Sequence, residues 1–256
     1  MSRPRILILG GTTEARQLAE RLARRDDYHA IISLAGRTVH PRPLPVETRI
    51  GGFGGAAGLA DYLRNQNISL VIDATHPFAN QISANAAEAA RQTGVPIFAL
   101  RRPVWAREDG DNWISVDTIP AAVAALGEAP RRVFLAIGRQ EAYQFSQAPR
   151  HFYLVRSVDP VDPPLTVPDC QYILASGPFE EADERQLLVE NRIDMVVCKN
   201  SGGAATYGKI AAARALGVNV VMIERQIPPG TLTVDDVETA LQTLDHLLAP
   251  ARKRGV

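Results

Sequence analysis

The chain has 256 residues, 46% hydrophobic and 22% charged, with 28 Lys and Arg against 28 Asp and Glu. That length supports one or two globular domains with a good core, while the cancelled charge excludes a global field for nucleic acid or an anionic membrane, so any basic site must be local. No apolar run approaches the ~20 residues of a membrane span. The two N-terminal arginines run into an apolar strand too short for a signal sequence, and Cys170 and Cys198 have neither CxxC nor Cys/His ligand spacing, so both are expected as reduced core residues of a cytoplasmic protein.

In chain order, Arg5–Leu9 reads as a buried parallel strand ending in Gly10-Gly11. Thr13–Arg24 follows at helical period, with Ala15, Leu18, Ala19 and Leu22 on one face and Thr12 or Thr13 placed to cap it. Ala30–Leu34 is the next strand, and the proline-bearing Arg37–Pro45 a loop. Leu70–Asp73 and Pro96–Leu100 are strands around an alanine-rich helix at Phe78–Arg91. The stretch Arg101–Asn112 carries the domain boundary, dividing the chain into 1–110 and 111–256. Strands resume at Trp113–Val116, Val133–Ala136, Phe152–Val155, Tyr172–Ala175, Asp194–Cys198 and Val218–Ile223, and Val234–Leu248 is the last helix. The loop Asp159–Pro168, with four prolines, is expected as a surface lid or rim.

The two halves repeat one another. Ile6-Leu7-Ile8-Leu9-Gly10-Gly11-Thr12-Thr13-Glu14 is matched by Val133-Phe134-Leu135-Ala136-Ile137-Gly138-Arg139-Gln140-Glu141, with Gly138 placed 127 residues after Gly11. Gly94–Arg102 is matched in the same way by Gly217–Arg225. Strand and helix alternate through both halves, which predicts an α/β chain of two Rossmann-like, doubly wound parallel-sheet domains with a ligand site in the cleft between them.

Ligands of such sheets lie beyond the carboxyl ends of the strands. Gly10-Gly11-Thr12-Thr13-Glu14 suits a pyrophosphate, since glycine admits close backbone approach and the helix start offers free N–H groups. It is not GxGxxG, and a tight turn needing positive φ would use the same glycines. Strand two ends in Ser33-Leu34-Ala35-Gly36-Arg37 with no acid between Ala30 and Val46. This absence favours NADP over NAD, Arg37 being suited to a 2′-phosphate. Gly51-Gly52-Phe53-Gly54-Gly55 is either a ligand-approach loop walled by Phe53 or a connector. Thr75 and His76 end the next strand, before Pro77. His76 is a candidate ligand contact and, in principle, a proton donor. The other histidines lack metal-ligand spacing, so no metal is expected. In the second half Arg139, Lys199, Lys209 and Arg225 are expected as a concentrated positive site for carboxylates, with Arg16 joining from the first helix and Ser201 and Gly202 in the turn after Lys199.

Taken together, Gly10–Arg16, Ser33–Arg37, Gly51–Gly54, Asp73–Ala79 and Lys199–Gly203 resemble the precorrin-6A reductase family of cobalamin biosynthesis, in the family's order and over nearly the whole chain. The resemblance implies NADPH in the N-terminal domain, held by Gly10, Gly11, Thr12, Thr13, Glu14, Ser33, Gly36, Arg37, Gly52, Phe53, Gly54 and Thr75. It implies an anionic tetrapyrrole bound by Arg16, His76, Arg139, Lys199, Ser201, Gly202, Lys209 and Arg225, and hydride transfer to C19 with protonation at C18. The substrate is either metal-free precorrin-6A or its cobalt complex. A monomer that hands its product to the next pathway enzyme is expected. A non-catalytic NADP sensor would share the first half but has no use for the cations of the second. A short-chain dehydrogenase would need Tyr-xxx-Lys, which none of the six tyrosines provides.

Overall fold

The computed structural model describes residues 3–36, 43–225 and 231–253. Arg37 therefore lies outside the described residues. The chain forms two compact units, Met1–Pro103 with Ile227–Val256, and Val104–Gln226.

In the first unit β1 (Arg5–Leu9), β2 (His29–Leu34), β3 (Glu47–Ile50), β4 (Ile68–Asp73) and β5 (Ile97–Leu100) are interleaved with α1 (Thr13–Leu22), α2 (Gly55–Asn65) and α3 (Asn80–Thr93). The second unit holds β6 (Trp113–Val116), α4 (Ile119–Ala125), β7 (Arg132–Ala136), β8 (Phe152–Ser157), β9 (Cys170–Leu174), α5 (Glu181–Glu190), β10 (Met195–Lys199), α6 (Gly208–Leu216) and β11 (Asn219–Ile223). The chain then returns to the first unit with β12 (Thr233–Val234) and α7 (Val237–Lys253).

Both sheets are wholly parallel and share one topology. Their orders are β3-β2-β1-β4-β5-β12 and β9-β8-β7-β10-β11-β6. Each is the doubly wound order 3-2-1-4-5 with a sixth strand added beside the fifth. The duplication legible in the sequence is thus a duplication of topology. The sixth strands differ in origin: Trp113–Val116 pair with Val220–Ile223 within the second unit, whereas Thr233 and Val234, after the second unit in sequence, pair with Ala99 and Leu100 of the first. Val234, expected as the start of the last helix, is thus the end of a short strand. The boundary consequently falls at Pro103/Val104, and α7 belongs with the first unit.

Central strands of a parallel sheet are covered on both faces and need apolar side chains on both. Ile6, Ile8, Ile32 and Ile72 pack with Leu18 and Leu22 of α1 and Leu241 and Leu244 of α7. Leu7, Leu9, Ile31 and Val71 pack on the opposite side with Leu59 and Leu63 of α2 and Ala86 and Ala89 of α3. In the second unit Phe134, Val196, Val220 and Met222 pack with Ile210 and Ala213 of α6. Cys198 is buried there as expected, but Cys170 is only half-buried, because β9 is an edge strand with little covering its outer face. The proline loop is pinned to its own unit. Leu165 N–H donates to Tyr172 Oη at 2.9 Å, Thr166 N–H to Ser146 Oγ at 2.9 Å, and Val161 and Leu165 are buried.

His151, just before β8, is buried, and its Nδ1 accepts from Arg131 N–H at 3.2 Å. Burial first, then the Arg131 charge, hold its pKa below the ordinary 6.5. The folded state therefore binds the proton less readily than the unfolded one. His151 contributes stability that is complete above about pH 6.5 and is lost as pH falls below it. Urea midpoints of wild type and His151→Gln should converge as pH is lowered from 7.5 to 5; a gap that stays constant would refute this.

Candidate active site

The turn after β1 is built for backbone approach. Gly10 N–H donates to Ser33 O at 2.9 Å, tying the turn to the end of β2. A Cβ on Gly10 would lie 2.8 Å from the Ile32 side chain, whereas one on Gly11, at φ +132°, would meet nothing within 4 Å. Gly11 thus combines a backbone that side chains rarely adopt with open space in front of it. Thr12 caps α1, accepting Ala15 N–H at 3.1 Å, and its hydroxyl donates to Ala74 O at 2.9 Å. One side chain thereby ties the α1 start to the end of β4. Thr13 opens the helix. The Glu14 carboxylate pairs with Arg102, from beyond β5, at 3.0 Å.

At the next strand ends, Ser33 is buried and Gly36 has φ +72°. Gly51–Gly55 is a turn running into α2 rather than a loose connector. Gly54 and Gly55 take positive φ at the helix start, and a Cβ on Gly58 would lie 1.8 Å from Phe53 O, so the helix closes directly over that carbonyl. Phe53 packs edge-on against Tyr62, ring centroids 5.2 Å apart. Arg49 lies across this turn. Its guanidinium sits 3.8 Å from the Phe53 ring centroid, with Nη2 donating to Gly52 O at 2.7 Å and Nη1 to Ser33 Oγ at 3.3 Å.

The end of β4 is fixed by a buried network. Thr75 Oγ1 donates to Asp73 Oδ1 at 2.6 Å, and Arg101 Nη2 donates to Asp73 Oδ2 at 2.7 Å and to Ser83 Oγ at 2.9 Å. Thr75 is thereby a buried link between the end of β4 and the start of α3. His76, next in sequence, is exposed, and its Nδ1 accepts Phe78 N–H at 3.3 Å. Arg16, predicted to join the cations, donates to Pro43 O at 3.1 Å within the first unit.

In the second unit Arg139 follows β7, Lys199 ends β10 and Arg225 follows β11, so three neighbouring strands end in cations. Two of these cations have carboxylate partners. Lys199 Nζ donates to Glu141 Oε1 at 2.6 Å, and Arg139 lies 3.9 Å from Asp159. Glu141 is the counterpart of Glu14, and each takes a cation from a nearby strand end. Lys209 is buried, its ammonium donating to Thr206 O and lying 4.8 Å from the Trp105 ring centroid, so its charge is withdrawn from the surface. Ser201 and Gly202 are buried in the turn after Lys199, whose course is set by Asn200. Asn200 Oδ1 accepts Trp105 N–H at 2.9 Å, and Asn200 Nδ2 donates to Glu224 Oε2 at 3.0 Å.

Asp73, Glu141 and Asn200 stood in the motifs without a site role, and Arg49, Arg101 and Arg102 escaped the sequence reading. For Glu141 the signal was present, as it repeats Glu14. For Asp73 and Arg101 no local pattern announces a pair so far apart in sequence. Among the described residues, no cluster of His, Cys, Asp and Glu could hold a metal, and no helix is long and apolar enough to cross a membrane.

The family model for precorrin-6x reductase CbiJ/CobK matches residues 5–245. The chain belongs to the precorrin-6x reductase family. A precorrin-6A reductase from a Sinorhizobium species is 61% identical over 251 residues, covering 98% of this chain and 96% of the relative. One from Rhodobacter capsulatus is 49% identical, covering 98% and 99%. A cobalt-precorrin-6A reductase from Priestia megaterium is 28% identical, covering 92% and 97%. A solved structure of CobK precorrin-6A reductase is 49% identical and superposes with a TM-score of 0.90, covering 95% of this chain and 97% of that one.

Proposed function

We propose that the chain reduces precorrin-6A to precorrin-6B with NADPH, delivering hydride to C19 of the macrocycle and a proton to C18, within cobalamin biosynthesis. The observation that carries the cofactor assignment is Gly11, open in front and at φ +132°, between the central strand of a 3-2-1-4-5 sheet and the start of α1. This is where a dinucleotide pyrophosphate is held, on backbone N–H groups at the positive end of the helix. NADPH, when bound, supplies the hydride. The protein's share is to hold the two reactants and position the reacting carbons.

Gly10 and Gly11 admit the phosphates, and Thr12 holds the α1 start and the β4 end in one frame. Ser33 and Gly36 border the adenosine ribose, and Phe53 walls that side. His76 follows the buried Asp73–Thr75 network, so its backbone is held while its ring is exposed. Its Nδ1 accepts from Phe78, which puts the proton of the neutral ring on Nε2, the nitrogen that would contact a substrate carboxylate or the nicotinamide amide. Arg139, Lys199 and Arg225 bind substrate carboxylates, which displace Glu141 and Asp159 as partners. The larger relative identities, 61% and 49%, are to enzymes named for precorrin-6A rather than its cobalt complex, and this supports the metal-free substrate.

Lys199→Met tests the division of labour. It should raise the KM for precorrin-6A at least fivefold and leave the Kd of NADPH within twofold, as expected for a residue that touches substrate alone. An unchanged KM, or equal loss of both ligands, would exclude this assignment.

A further inference from the structure

We infer that Arg49 selects NADPH over NADH by pairing its guanidinium with the 2′-phosphate of the adenosine ribose, an inference that rests on the cofactor reading above. In a sheet of this order the ribose hydroxyls are read at the carboxyl end of β2. Arg49 reaches that point from the neighbouring strand. It stands in register with Ser33 across the β2–β3 ladder, and its Nη1 lies 3.3 Å from Ser33 Oγ.

The charge of Arg49 has not been neutralised. Its acceptors are Ser33 Oγ and the carbonyls of Gly51 and Gly52, all uncharged. Among the described residues no carboxylate lies within ion-pair distance of it, whereas Arg5, Arg25, Arg101 and Arg102 in the same unit each have one. A half-buried guanidinium whose protein partners are all neutral retains a strong attraction for an anion. A phosphate is the anion its planar fork suits best. The group is also held in place, since it stacks on Phe53 at 3.8 Å and lies 5.3 Å from the Tyr62 ring. Little ordering entropy remains to be lost when the phosphate arrives.

The competing account is that Arg49 only staples the Gly51–Gly52 turn. A staple serves both nicotinamide cofactors alike; a phosphate reader serves one. Calorimetric Kd values for NADPH, NADH and adenosine 2′,5′-bisphosphate, on wild type, Arg49→Met and Arg49→Lys, separate the two. Met keeps the apolar contact with Phe53, and Lys keeps the charge. The inference predicts that Arg49→Met weakens NADPH and the bisphosphate at least tenfold while NADH changes less than twofold, with Arg49→Lys intermediate. Equal weakening of NADPH and NADH, or an NADPH preference that survives in Arg49→Met, overturns the inference and leaves the cofactor reading standing. Wild-type protein that binds NADH as tightly as NADPH overturns the cofactor reading and the inference together.

Discussion

Replacing Glu184 by alanine is expected to destabilise the second unit by about 3–5 kcal/mol, the range for removing one partner of a buried ion pair. Glu184, in the first turn of α5, and Arg156, in β8, have side chains 3% and 6% exposed. They meet through two parallel hydrogen bonds, Nη2 to Oε2 at 2.8 Å and Nη1 to Oε1. The guanidinium also lies 3.6 Å from the Phe179 ring centroid and 4.8 Å from that of Phe134. Truncating Glu184 leaves a cation among aromatic rings with little access to water. Replacing both residues by leucine should recover most of the loss, because no charge is then stranded. Trp105 and Trp113, the two tryptophans of the chain, both lie in this unit, so tryptophan fluorescence in urea reads the effect directly. A loss under about 1 kcal/mol would mean that the pair behaves as an exposed one.

Asp73→Ala should cost a similar amount in the first unit, about 3–5 kcal/mol. Asp73 is 3% exposed and balances Arg101, whose side chain is 9% exposed. Its removal also frees Thr75, whose N–H and hydroxyl both donate to Asp73 Oδ1. Asp73→Asn keeps that acceptor and loses the charge, so it should fall between wild type and alanine. Urea unfolding followed by circular dichroism gives the stability. Amide exchange at Thr75 gives the local effect, and should be faster in Asp73→Ala than in Asp73→Asn. Identical exchange in the two variants would show that the acceptor does not hold the turn.

These two pairs also mark where the sequence was readable. The central strands were legible because a buried parallel strand must be apolar on both faces, and Ile6–Leu9, Leu70–Asp73 and Val133–Ala136 are found where that pattern puts them. Gly10-Gly11 was legible because Gly10 has no room for a Cβ beside Ile32 and Gly11 is at positive φ, so few residues can replace either. The short edge strands were not. Glu47–Ile50 is polar and largely exposed, and Thr233–Val234 is two residues long, so neither carries periodicity. The return of the chain to the first sheet was invisible for the same reason, since nothing within β12 names a partner. The burial of Lys209 was not legible because Trp105, whose ring lies 4.8 Å from its ammonium, is more than a hundred residues away in sequence. Arg49 was missed because its meaning depends on Ser33 and Phe53, brought to it by the sheet and by the glycine turn.

The most direct test of the central claim is anaerobic incubation of the protein with precorrin-6A and NADPH carrying deuterium at the transferable C4 position of the nicotinamide. The account predicts one NADPH consumed per macrocycle reduced, with deuterium at C19 and a solvent-derived proton at C18. A reduced macrocycle with deuterium at any other carbon, or NADPH that is bound and never consumed, would contradict it.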